Sequence, residues 1–285
     1  MRMLCCLGLL SLFTVLSCKT QVPSVPITYE ADIEAWRGRR LANLTAPTGW
    51  LSLTGLYWLK EGVNECGTSA EARIKLTADA PALAATYTLD NGDVECEIME
   101  GSGVEARSDD DCAMAYSSQR WQLLERGGRY GVRVRDTLLP ARIRLRPIEQ
   151  FAIDPSYRVF GEWEAVDGAD SVLMRNVLDM EYYVPVEGKL RFTINDQLQE
   201  LIALDGGPDD LFLIFADKTT GETTYGGGRY LYCPRPDEDG RTIIDFNKAY
   251  NPPCAFTDFA TCLLPRIENN MPVAILAGEK TYGDH

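Results

Sequence analysis

The chain has a single histidine, His285, and it is the last residue. Without an internal imidazole, Ser-His-Asp and Cys-His catalytic arrangements have no base, and no Gly-x-Ser-x-Gly elbow occurs. No CxxC pair follows residue 18, so a structural zinc site is disfavoured too, and no metal or other cofactor is expected. Positive charge is scarce: 28 Lys and Arg stand against 42 Asp and Glu, a net charge of −14. Nucleic acid and anionic lipid surfaces both require a basic face, so no nucleic-acid partner is expected. No internal repeat is visible, and after residue 45 hardly any stretch has helical amphipathic spacing.

What is present points first to an export address. Residues 1–18 read MRMLCCLGLLSLFTVLSC, where Arg2 gives a positive start and residues 4–16 an apolar run too short for a stable span. Val15, Leu16, Ser17 and Cys18 resemble the lipobox of bacterial lipoprotein signal peptides. That resemblance implies cleavage after Ser17 and acylation, palmitate included, on Cys18, with the membrane as partner through that lipid. An ordinary secretory signal cut nearby is the alternative. Lys19 stands where an Asp would mark inner-membrane retention, which implies a lipid-anchored periplasmic protein of the outer membrane. The expected organisation is a signal peptide over 1–17, a Pro-punctuated tether over 18–28 and one β-rich domain over 29–285. Beyond the signal remain Cys66, Cys96, Cys112, Cys233, Cys254 and Cys262, an even number suited to disulfides in an oxidising compartment.

At 45% hydrophobic, with five Trp, 13 Tyr and nine Phe, the rest can bury a full core. Tyr29, Ile33, Trp36, Leu41 and Leu44 fall on one side of a helix. Glu30, Asp32 and Glu34 lie in its first turns and Arg37, Arg39 and Arg40 toward its end, as its dipole favours. Beyond Gly49 short alternating runs replace that spacing. Asn91 with Gly92 marks a type I′ hairpin turn, Gly127 with Gly128 can turn another, and Asn195 with Asp196 ends a third run. Over residues 129–146, Tyr130, Val132 and Val134 alternate with Arg129, Arg133 and Arg135, and the pattern recurs from Arg142 to Arg146. This basic concentration reads either as a surface for an anionic substrate or, preferably, as a polar strand face paired with the excess carboxylates. Such short strands predict a mainly β fold: an antiparallel sheet, barrel- or sandwich-like, with an amphipathic helix at its N-terminus.

Patterning is densest over residues 211–282. The apolar run 211–216 predicts a strand covered on both faces. A return strand over 223–232 would carry Gly226, Gly227 and Gly228 as a bulge or a close backbone approach. The segments TYGGGRYL, IDFNKAYNPPCAFTDFATC and ENNMPVAILAGEK, with GWLSLTGLYWL and GVRVRD upstream, resemble a bacterial family known as domain of unknown function 1684. The resemblance runs over residues 36–282, although Asn270, Met271 and Pro272 stand where the family commonly has Arg-Leu-Pro. The family has no established activity, so the resemblance implies an architecture and a focus but no reaction. Cys254 and Cys262 both fall within its motif, which implies that they pair.

Asp217, Asp245 and Glu279 are the candidate carboxylates there, with Arg229, Asn247, Asn251 and Lys280 as neighbours in a ligand site. Paired carboxylates serve general acid–base chemistry or, with amide oxygens, hold a hard cation. Alternatively Asp245 and Asn247 cap turns, Arg229 and Glu279 form a buried ion pair, and nothing binds. The expected function is a lipid-anchored envelope protein holding a small polar ligand, such as a saccharide or peptidoglycan fragment, with help from Tyr225, Phe246 and Tyr250. A carboxylate-dependent hydrolase of envelope material and a purely structural lipoprotein are the alternatives.

Overall fold

The computed structural model describes residues 23–108, 112–141, 143, 145–166 and 170–283. The export segment with Cys18, and Arg142 and Arg144 of the basic run, lie outside them. The fold is mainly β, as the alternating patterns predict, with antiparallel sheets, one of them a nearly closed barrel. One α-helix, α1 (Tyr29–Leu44), opens the described chain. Among the described residues no helix is long and apolar enough to cross a membrane.

The N-terminal half builds two sheets around one core. β1 (Leu53–Trp58), β6 (Glu105–Ser108), β7 (Ala113–Tyr116), β8 (Gln119–Arg126) and β9 (Arg129–Asp136) form a sheet in the order β1-β9-β8-β7-β6. β2 (Gly62–Gly67), β3 (Ile74–Lys75), β4 (Ala85–Asp90) and β5 (Asp93–Ile98) form the second, ordered β3-β2-β4-β5. Their inward residues, among them Ile74, Tyr87, Trp121, Val132 and Val134, make a common apolar cluster. Alternation with a period of two puts these side chains on one face and the arginines of β8 and β9 on the other. A disulfide between Cys96 and Cys112 ties β5 to the start of β7.

The C-terminal half is the barrel. It comprises β10 (Arg158–Ala165), β11 (Ser171–Arg175), β12 (Glu181–Ile194), β13 (Gln197–Asp205), β14 (Asp210–Phe215), β15 (Arg229–Pro234) and β16 (Arg241–Asp245). The sheet runs β15-β14-β13-β12-β10-β16, with β11 paired to the first part of β12, and β15 and β16 come together to close it. Leu190 and Phe192, Leu201 and Ala203, Leu211 and Leu213, Leu231 and Ile244 fill the interior. The final segment completes this core as an extended strap: Met271, Val273, Ile275 and Ala277 point in, whereas Pro272 and Leu276 point out. Each buried Leu or Ile contributes about 1.5–3 kcal/mol of transfer free energy, so the strap is a wall of the core and no loose tail.

All three two-residue turns form as predicted, with left-handed backbone at Asn91 (φ 51°) and Gly92 (95°), Gly127 (56°) and Gly128 (72°), and Asn195 (50°) and Asp196 (58°). The return strand after β14 begins later than predicted, at Arg229, because residues 217–228 fold back on themselves through Thr219, Thr220 and Thr224. The three glycines therefore precede β15. Gly228 still makes the predicted close approach: its φ is 79°, and a Cβ there would lie 2.3 Å from the Pro265 ring. Cys254 and Cys262 are joined, as the family resemblance implies. Cys66 and Cys233 remain thiols, one buried in each core, so the even count does not pair throughout.

Candidate functional site

The six predicted site residues fall into two buried networks. Asp217 follows β14, and its Oδ1 accepts from the backbone N–H (2.8 Å) and the hydroxyl (2.6 Å) of Thr219. Its Oδ2 accepts from Arg229 at 2.7 Å. Arg229 also donates to the carbonyls of Ile275 and Ala277, so one guanidinium fastens the strap to the barrel. Burial lowers the Arg229 pKa, and the charges of Asp217 and Glu279 oppose that shift.

Glu279, wholly buried, accepts the Asn251 N–H on Oε2 at 2.7 Å, and its Oε1 faces Arg40 Nε at 3.4 Å. Burial holds the Glu279 carboxyl above the usual carboxylate range, against the pull of Arg40, the Asn251 N–H and Arg229. The Asn251 side chain donates to the Lys280 carbonyl at 2.7 Å, and Arg40 donates to the Asn251 carbonyl at 2.9 Å. Asp217, Arg229, Asn251 and Glu279 thus belong together, with Arg40 of α1 as a member that sequence reasoning did not include. Arg229 pairs with Asp217 and not with Glu279.

Asp245 and Asn247 form the second network, under the start of α1. Asp245 Oδ1 accepts from the Tyr29 hydroxyl at 2.9 Å, and Asn247 both donates to the Asp154 carbonyl and accepts its N–H. Asp245 caps the turn at Phe246–Lys248, as the alternative reading has it. Burial first, then the Asp245 charge, pushes the Tyr29 phenol well above its ordinary range. Phe246 lies in the barrel core and Tyr225 is half-buried. Of the hollows among the described residues, none is lined by more than one of the three carboxylates. Glu279 alone reaches one, between α1 and residues 145–150.

An aromatic groove opens on the other side of Arg40. It measures about 670 Å³ and lies between α1 and the outer face of β14 and β15. Strand alternation produces that outer face: Leu211 and Leu213, Leu231 and Cys233 point into the barrel, so Phe212, Tyr230 and Tyr232 point out. Tyr232 and Tyr250 stack with an interplanar angle of 9°, and Trp36 packs 6.3 Å from Tyr250. The Arg40 guanidinium lies 4.7 Å over the Tyr250 ring, held there by Glu279 and Asn251. Tyr232 is 46% and Trp50 37% exposed, so both rings are partly open to solvent at the groove. Trp36, Arg39, Arg40 and Trp50 were absent from the predicted site. The signal was there, in an aromatic followed by arginines three and four residues on, which places all three on one helical face.

The part of the basic run on β9 differs from the preferred expectation. Among the described residues no carboxylate forms an ion pair with Arg126, Arg129, Arg133 or Arg135. Arg129 instead lies over Trp58 and Arg133 over Trp50, at 4.7 and 5.4 Å from the ring centroids.

Residues 144–280 match a family model described as protein of unknown function (DUF1684). The match covers the barrel and its strap; the upstream segments GWLSLTGLYWL and GVRVRD lie outside it. The chain is also similar to the solution NMR structure of an uncharacterized protein from gene locus rrnAC0354 of Haloarcula marismortui. The two are 32% identical over 48% of this chain and 78% of that one, with a TM-score of 0.40. Comparison with curated proteins finds no match.

Proposed function

From a chain that carries a DUF1684 domain over residues 144–280, we propose a lipid-anchored cell-envelope protein that binds a small polar ligand, of saccharide type, in the groove between α1 and β14–β15. The observation that carries this reading is the groove itself: partly exposed Tyr232 and Trp50 rings beside the Arg39 and Arg40 guanidiniums. Sugar rings offer C–H faces that stack on aromatic side chains and hydroxyls that accept from arginine. Arg39 is exposed at the rim, and among the described residues no hydrogen bond or ion pair engages its guanidinium. Glu279 and Asn251 support this site from behind by fixing Arg40, and Asp245 and Asn247 hold the start of α1 through Tyr29.

The anchor is proposed on the lipobox-like sequence ending at Cys18. A hydrolase is the weaker reading, because Asp217 is bound to Arg229, Asp245 to Tyr29 and Glu279 to Arg40, away from the groove.

A glycan panel titrated calorimetrically against the full chain tests the groove. Tyr232→Ala is expected to weaken binding about tenfold with little change in stability, since the side chain is half exposed. Equal binding by wild type and variant would sink the groove reading. For the anchor, incorporation of a labelled fatty acid that Cys18→Ser abolishes is the expected result, and unlabelled wild-type protein would refute it.

A further inference from the structure

One face of the β8–β9 hairpin carries five arginines and no acid. The register Arg120↔Arg135, Gln122↔Arg133 and Arg126↔Arg129 puts Arg120, Arg126, Arg129, Arg133 and Arg135 side by side. In a chain of net charge −14 this is an unusual concentration. Acids are abundant, yet no ion pair neutralises the five among the described residues. Arg120 and Arg126 donate to neighbouring backbone carbonyls, and Arg135 donates to the Thr48 carbonyl.

Two of them converge on a hollow. Arg126 and Arg133 line a cavity of about 210 Å³ whose other walls include Trp50, Tyr182, Tyr230 and Thr261. Arg133 reaches Thr261 Oγ1 only at 3.5 Å, and its Nε is shut off from solvent without an acceptor. Burial, then the charges of Arg126 and Arg135, drives the Arg133 pKa down to about 10. A half-buried cation with two like charges beside it and an unfilled donor raises the energy of the folded chain. An anion between the guanidiniums would offset that cost. The hollow also shares Trp50, Tyr230 and Pro253 with the aromatic groove, so the two are adjoining compartments of one cleft.

We propose that this hollow is an anion subsite, and that the ligand is a soluble saccharide-type phosphate ester whose phosphate lodges between Arg126 and Arg133 while its ring lies against the groove aromatics. The proposal rests on the groove reading and adds the ligand's charge and the residues that recognise it. Guanidinium forks match the paired oxygens of phosphate, and charge-assisted bonds of this kind are roughly twice as strong as neutral ones. The Thr261 hydroxyl stands ready as a further donor.

Calorimetry on the full chain with N-acetylglucosamine, N-acetylglucosamine 1-phosphate and inorganic phosphate tests it. The ester should bind at least about tenfold tighter than the parent sugar, and Arg133→Gln should remove that increment. A merely structural arginine would lower the unliganded melting temperature when replaced. Here Arg133→Gln should leave it unchanged or raise it, because a like-charge contact is relieved. If Arg133→Gln fails to fold, Arg126→Gln should remove the same increment. Equal binding of ester and sugar, or wild-type binding of the ester by a folded variant, overturns the subsite and leaves the groove standing. Inorganic phosphate binding that needs Arg133, with no gain from either sugar, overturns the groove and leaves an anion site. No binding by any probe overturns both. Arg133-dependent binding to phosphatidylglycerol vesicles, absent with phosphatidylcholine and with the ester, would reassign the phosphate to a lipid headgroup and overturn the soluble ester.

Discussion

Arg229 and Asp217 meet at 2.7 Å with neither side chain exposed to solvent. The pair closes β14 against β15 at the point where the strap crosses, since the same guanidinium holds the Ile275 and Ala277 carbonyls. Removing one member leaves the other charged and buried. Asp217→Asn should therefore cost about 3–5 kcal/mol of unfolding free energy, read from urea denaturation. A loss under about 1 kcal/mol would show that the pair does not hold the strap.

Glu279 gives a pH signature. Burial keeps its folded-state pKa above the ordinary carboxylate value, so the folded chain holds this proton more tightly than the unfolded chain. Its contribution to stability is therefore complete below the unfolded pKa and is lost as pH rises through the folded one. Glu279→Gln keeps an acceptor for the Asn251 N–H and abolishes the titration. The stability of wild type relative to the variant should fall as pH rises, in urea melts spaced between roughly pH 4 and pH 7. A flat or rising difference contradicts the assignment.

The bridge from Cys254 to Cys262 closes a short loop that carries Thr261 to the cleft, with Pro253 just before it. Converting both cysteines to serine should lower stability by about 2–3 kcal/mol on the loop-entropy scale. The anion compartment, whose wall includes Cys262, should lose more affinity than the aromatic groove. Phosphate and sugar titrations on the double variant distinguish the two.

Cys66 and Cys233 should be inert in the native protein. Each sits in a core, and burial pushes both thiols up to about 12, leaving almost no thiolate near neutrality. Peptide mapping after a brief alkylation pulse should find both unmodified, and both modified once urea unfolds the chain. Rapid native labelling of either would mean that its core opens locally.

Local patterns made much of the architecture legible. Left-handed backbone at Asn91 and Asn195 follows from residue type, and the alternation of β8, β9, β12 and β14 sets which faces are buried. The start of β15 was not legible, because threonine bonds among residues 217–224 override the strand propensity of that stretch. The polar residues of the C-terminal motif join two hydrogen-bonded networks, yet sequence could not tell a ligand site from scaffold. That distinction depends on Arg40, which is far from Glu279 in the chain and touches it only once α1 has docked. The arginines of β9, which meet no carboxylate among the described residues, were misjudged because composition counts acids without saying where they lie.

The strap has a consequence for biosynthesis. Met271, Val273, Ile275 and Ala277 line the barrel interior, yet they follow every strand of the barrel in the order of translation. Until they emerge from the ribosome, Arg229 lacks two of its acceptors and the interior stays uncovered. The barrel strands therefore cannot lock together on a nascent chain until the strap itself has been made.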